Sequence, residues 1–74
     1  MSRILDRDLM VLGSRENHLR AVTLHSGQVI ELLGPSQDDR FVRIRVGDEE
    51  FEAFGADHPD FAQLLRLNRE LTKR

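Results

Sequence analysis

The side chains with chemical reach are few. His18, His25 and His58 are the only imidazoles, and no two of them stand at the close spacing of a metal-binding pair. No HExxH motif accompanies them, and the chain has no cysteine. His25 falls in a predicted turn and His58 at a predicted helix start, so both are expected at solvent-exposed positions. Ser14, Ser26 and Ser36 lie in turn contexts, where hydroxyls serve backbone hydrogen bonds. His25 and Ser26 are adjacent, but neighbours in a tight turn diverge, and no acid is placed to orient the imidazole. Asp38-Asp39 and Asp48-Glu49-Glu50 supply paired carboxylates at a loop and at a hairpin tip. General acid–base work needs a carboxyl tuned by a pocket, and 74 residues leave little room for one. Glycines 13, 27, 34, 47 and 55 are dispersed singly, one per predicted turn, and form no phosphate-cradling loop. The expectation is a chain without catalytic residues, metal, cofactor or small-molecule substrate.

Binding is the better-supported alternative. The formal net charge is −2, but it is unevenly spread. Residues 1–37 are balanced, residues 38–60 carry net −5, and residues 61–74 carry net +3. A generic polyanion binder would be basic throughout. An acidic middle and a basic tail suit a protein contact or head-to-tail self-association. Size points the same way. One core of this length leaves only about 3–5 kcal/mol of net stability, and small domains are commonly reinforced by disulfides, metals or a second chain. The chain offers neither of the first two.

The elements that would position a binding surface can be read from periodicity. Phe41-Val42-Arg43-Ile44-Arg45-Val46 alternates strictly, Gly47-Asp48 follows, and Glu49-Glu50-Phe51-Glu52-Ala53-Phe54 completes a hairpin. Glycine at the first loop position signals a type II′ turn. The implied register sets Ile44 against Phe51 and Val42 against Ala53 on one face. On the other, Arg45 faces Glu50 and Arg43 faces Glu52, two opposite-charge pairs worth about 0.2–1 kcal/mol each. Phe41 and Phe54 meet on that charged side.

A second hairpin is expected over 19–33, with Arg20–Leu24 joined through His25-Ser26-Gly27 to Gln28–Leu33 and Gly27 at positive φ. A helix capped by Ser14 and running over 15–24 is the competing reading. Val22-Thr23-Leu24 favours the strand. Pro59 at the first helical position and Asp60 in the first turn start a helix over 59–72, with Phe61, Leu64, Leu65 and Leu71 on its apolar face. Before Gly13-Ser14 a short strand near 8–12 is expected, with a helix over 3–11 as the alternative. The sum is mainly β with one C-terminal α-helix. Strands at about 8–12, 19–25, 28–33, 41–46 and 49–54 would form a small barrel or a curled antiparallel meander in one small domain over 1–74. The longest apolar run, Leu9–Leu12, is four residues, too short for a transmembrane helix or a signal segment. A cytoplasmic protein is therefore expected.

Two short stretches resemble known families. Val22-Thr23-Leu24-His25-Ser26-Gly27 resembles the strand–turn of Sm-like small barrels, which assemble into RNA-binding rings. Leu33-Gly34 with Val42-Arg43-Ile44-Arg45-Val46 is similar to the L-G…V-R-I-x-V strands of the carbon-storage-regulator family, RNA-binding translational regulators that form interlocked dimers. Ile4-Leu5-Asp6-Arg7 resembles that family's I-L-x-R opening. The second resemblance implies an RNA contact at Arg7.

Two functions from different classes follow. The first is a non-catalytic regulatory or adaptor domain that binds a protein, itself included, through Phe41, Arg43, Arg45 and Phe54. The alternative is an RNA-binding regulator using Arg7, Arg43, Arg66, Arg69 and Lys73.

Overall fold

The computed structural model of the chain describes residues 2–72. Six strands and one helix follow in order: β1 (Ser2–Ile4), β2 (Leu9–Arg15), β3 (His18–Leu24), β4 (Val29–Pro35), β5 (Phe41–Val46), β6 (Glu49–Phe54) and α1 (Pro59–Thr72), with a 3-10 turn at Gly55–Asp57 before the helix. All six strands form one antiparallel sheet in the order β1-β4-β5-β6-β2-β3. The sheet is mainly β with a C-terminal helix, as expected, and is curled rather than closed, with β1 and β3 as its two edges.

The β5–β6 hairpin has the expected register, from Phe41↔Phe54 through Ile44↔Phe51 to Val46↔Glu49. Gly47 at the first loop position takes φ +60, the left-handed value a type II′ turn demands and glycine supplies without strain. The inward residues of this hairpin are the centre of the core. Val42 and Ile44 are fully buried, with Phe51 and Ala53 opposite them. Leu9, Val11, Leu24, Ile30 and Leu32 join from the other strands. Gly13 of β2 owes its identity to this packing: the Phe51 ring lies 3.1 Å from where a Cβ would stand.

Several expectations are corrected. β1 makes a sixth strand. It pairs antiparallel with β4, Ile4 opposite Val29, and the chain between it and β2 is not helical. β3 does not form a hairpin with β4. It pairs instead with β2, from Leu9↔Leu24 to Arg15↔His18, and β4 pairs with β1 and β5. Gly27 does take a positive φ of 94, but the turn it makes is a crossover from one edge of the sheet to the other side. The Gly27 N–H donates to the Leu5 carbonyl at 2.8 Å, and the Ser26 N–H donates to Asp8 Oδ1 at 2.9 Å. These bonds fix the curl. The β2–β3 turn is Glu16-Asn17, both at positive φ (52 and 66), the signature of type I′. Ser14 therefore lies inside a strand and caps no helix.

Another correction concerns α1. Phe61 and Leu65 are buried and Leu64 half-buried against the core, but Leu71 is 77% exposed. The helix packs on β4 and β5, and its C-terminal turns carry Leu67 and Leu71 out of the core. His58, expected at an exposed position, has a side chain only 12% exposed. Its Nδ1 accepts from the Asp60 N–H at 3.1 Å, satisfying one of the orphan donors at the helix start. Its ring stacks at 5.0 Å on Phe61. The 3-10 turn abuts α1 so closely that a Cβ on Gly55 would collide with Leu65.

Candidate binding face

Alternation sends every second residue of the curled sheet outwards. On the two central strands these are Phe41, Arg43 and Arg45 of β5 and Glu50, Glu52 and Phe54 of β6. Phe41 and Phe54 meet with ring centroids 4.6 Å apart and planes tilted by 42°. That separation lies at the close end of favourable aromatic pairing. Phe54 is 39% exposed and Phe41 half-buried, so the pair presents aromatic surface to solvent. The Arg40 guanidinium stands 5.6 Å from the Phe41 centroid, within cation–π reach.

Arg40 is itself fixed from below. Its Nε and Nη2 donate to the Asp38 carboxylate at 3.0 and 2.6 Å, and its backbone N–H donates to Asp38 Oδ1 at 3.0 Å. These bonds, the side-chain one first and the backbone one next, hold the Asp38 carboxyl down at about 2. A depressed carboxyl favours the folded state fully above its ordinary value of 3.8, and that contribution fades as pH falls through about 2. The 38–41 turn should thus keep its shape through mild acid. An NMR titration of the Asp38 carboxyl should show a midpoint near 2. Arg40→Met should raise it towards the ordinary range, the backbone bond from residue 40 still holding it somewhat low. An ordinary midpoint in the unmodified chain would contradict the assignment.

The expected Arg–Glu pairs across the hairpin do not form as ion pairs, although their backbones are in register. Arg45 is flanked by Glu50 on β6 and by Glu31 on β4, and its guanidinium goes to Glu31 at 2.9 Å. Glu52 accepts instead from the Ser36 hydroxyl at 2.8 Å. That bond draws the 35–38 loop over the outer face and walls an open groove of about 730 Å³, lined by Leu12, Leu19, Phe41, Arg43, Glu50 and Glu52 among others.

Sequence reasoning missed the apolar part of this face. β2 pairs with β6 through Leu12↔Glu52. Continued by two residues along each strand, the register brings Met10, 60% exposed, towards Phe54. Leu19 on β3 is 76% exposed. The signal was present in Leu9-Met10-Val11-Leu12, because a run of four apolar residues in a strand must put two of them outside.

The residues of the RNA reading are not gathered on one element. Arg7 sits in the 5–8 turn bonded to Asp6 at 3.1 Å, Arg43 lies on β5, and Arg66 and Arg69 lie on α1. Arg69 approaches Asp39 at 3.9 Å. Lys73 lies outside the described residues. Among the described residues no group of three or more His, Asp or Glu side chains could hold a metal ion, and no helix is long and apolar enough to cross a membrane. His25 lies 3.8 Å from Asp8 at an exposed position.

Comparison with protein-family models, with curated proteins and with solved structures finds no match to this chain.

Proposed function

We propose that this chain is a small non-catalytic regulatory or adaptor module that acts by binding another protein through the outer face of β5 and β6. The observation that carries the reading is the Phe41–Phe54 stack, held on the solvent side of the sheet where neither ring is needed to fill the core. Aromatic rings flanked by charge are the usual anchors of protein contacts. Arg43 follows Phe41 on the same face and Arg45 lies beyond it, and both would set orientation more than affinity.

The test compares capture from native extract by the unmodified chain and by Phe41→Ser with Phe54→Ser, both checked for unchanged circular dichroism. Loss of two anchor rings should weaken a specific protein contact by about thirty-fold or more, the effect of a hot-spot residue. Arg66→Ala with Arg69→Ala should leave it intact. Capture that persists without the two rings sinks the proposal, and capture abolished by nuclease would favour RNA.

A further inference from the structure

β3 is the longer edge of the sheet, seven residues against three in β1. Natural edges are blunted by proline, lysine, bulges or extreme shortness. β3 has no proline, lysine or bulge and is not short, its one charged side chain, Arg20, is held by Glu49, and its pairing with β2 runs without a register shift. Six of its seven residues are exposed or half-buried.

The hairpin geometry fixes which backbone groups point outwards. A two-residue type I′ turn closes on a hydrogen-bonded pair, here Arg15↔His18. Antiparallel pairs then alternate, so residues 20, 22 and 24 bond inwards to β2. The N–H and C=O groups of Leu19, Ala21 and Thr23 face away from the sheet. The same count on β2 aims the backbone of Leu12 at β6, where it is found paired with Glu52.

We propose that this edge binds the same edge of a second copy of the chain, antiparallel about a two-fold axis at Ala21, so that two sheets become one. Leu19, Ala21 and Thr23 are symmetric about that axis. Leu19 falls opposite Thr23 of the second copy, Ala21 opposite its own counterpart, and each such pair exchanges two hydrogen bonds. Charge selects the register. Arg20 is the only permanently charged residue of β3 and is neutralised within its own chain by Glu49 at 2.9 Å. With the axis at Ala21 it lies opposite Val22 of the second copy. Moving the axis to residue 20 would oppose two guanidiniums, and moving it to residue 22 would shorten the overlap. The chosen register also sets the exposed Leu19 beside Thr23 of the second copy, whose own neighbour across the β2–β3 hairpin is Met10. The solvent-facing Leu19 thereby gains a neighbour. This pairing rests on the backbone edge of β3 and does not depend on the Phe41–Phe54 reading, although Leu19 also borders the groove of that face.

Sedimentation tests it. The unmodified chain should form dimers whose share rises with concentration. Ala21→Pro should be monomeric with an unchanged circular dichroism spectrum, because the Ala21 N–H serves no bond inside its own sheet and an edge tolerates proline there. Leu19→Lys with Thr23→Lys leaves the backbone untouched and sets lysines opposite each other on both sides of the axis. It should also be monomeric, and it decides the matter should proline disturb the strand. Phe54→Ser should stay dimeric, which separates this interface from the aromatic face. A monomer at every concentration up to about 1 mM, a dimer that survives both edge variants, or a dimer lost in Phe54→Ser would overturn the proposal.

Discussion

Phe61→Ala should cost about 3–5 kcal/mol, the range for deleting a fully buried ring. That is about the whole net stability expected of a single core this small, so the variant should be largely unfolded at 25 °C. Phe61 is 1% exposed, and it is the residue through which the helix reaches the sheet. A fourteen-residue helix is marginal in water by itself, and among the described residues of α1 the other apolar attachments to the core are Leu65 and the half-buried Leu64. Removing the ring also strips the stacking partner from His58, whose Nδ1 serves the helix start. Urea unfolding followed at the helical circular-dichroism band is the measurement. A cooperative transition displaced by less than about 1 kcal/mol would show that the site collapses around the gap and that Phe61 does not anchor the helix.

Ile44→Ala and Arg45→Ala, one residue apart, should differ by several kcal/mol. Ile44 is fully buried between Leu32 on β4 and Phe51 on β6. Its truncation empties the middle of three strands and should cost about 2–5 kcal/mol. Arg45 loses only the exposed bridge to Glu31, and surface pairs of this kind are worth about 0–1 kcal/mol. Chemical denaturation of the two variants side by side checks the contrast. Equal losses would mean that β5 does not present its alternate residues to opposite faces.

The β5–β6 hairpin was legible because every local signal agreed: alternation, a glycine-led loop and one register that sorted apolar from charged residues. Elsewhere local chemistry identified a turn without identifying what the turn joins. Gly27 has the positive φ its setting suggested, yet the strands on either side of it travel to different neighbours. Pairing is decided by which strand covers an apolar face, and that is a property of the whole sheet. The true hairpin turn was hidden because Glu16-Asn17 departs from the Asn-Gly pattern type I′ favours. β1 was hidden because three residues carry no period, and its partner lies on β4, far along the chain. On the candidate face, the pairing of Phe41 with Phe54 was read correctly from the register. The partner of Arg45 was not, because two carboxylates flank it and backbone pairing alone does not rank them. Leu71 has helical spacing from Leu64, but it lies two turns further along α1, past the part of the helix that Phe61, Leu64 and Leu65 hold on the core.

The pairing of Leu12 with Glu52 has a consequence in time. It joins two hairpins, β2–β3 and β5–β6, each of which closes over a loop of two residues. The contact between them must instead bring together residues about forty positions apart, at an entropic cost that local turns avoid. Long-range pairings of this kind slow the folding of small domains. Loop-closure entropy therefore favours closing the two hairpins before Leu12 reaches β6.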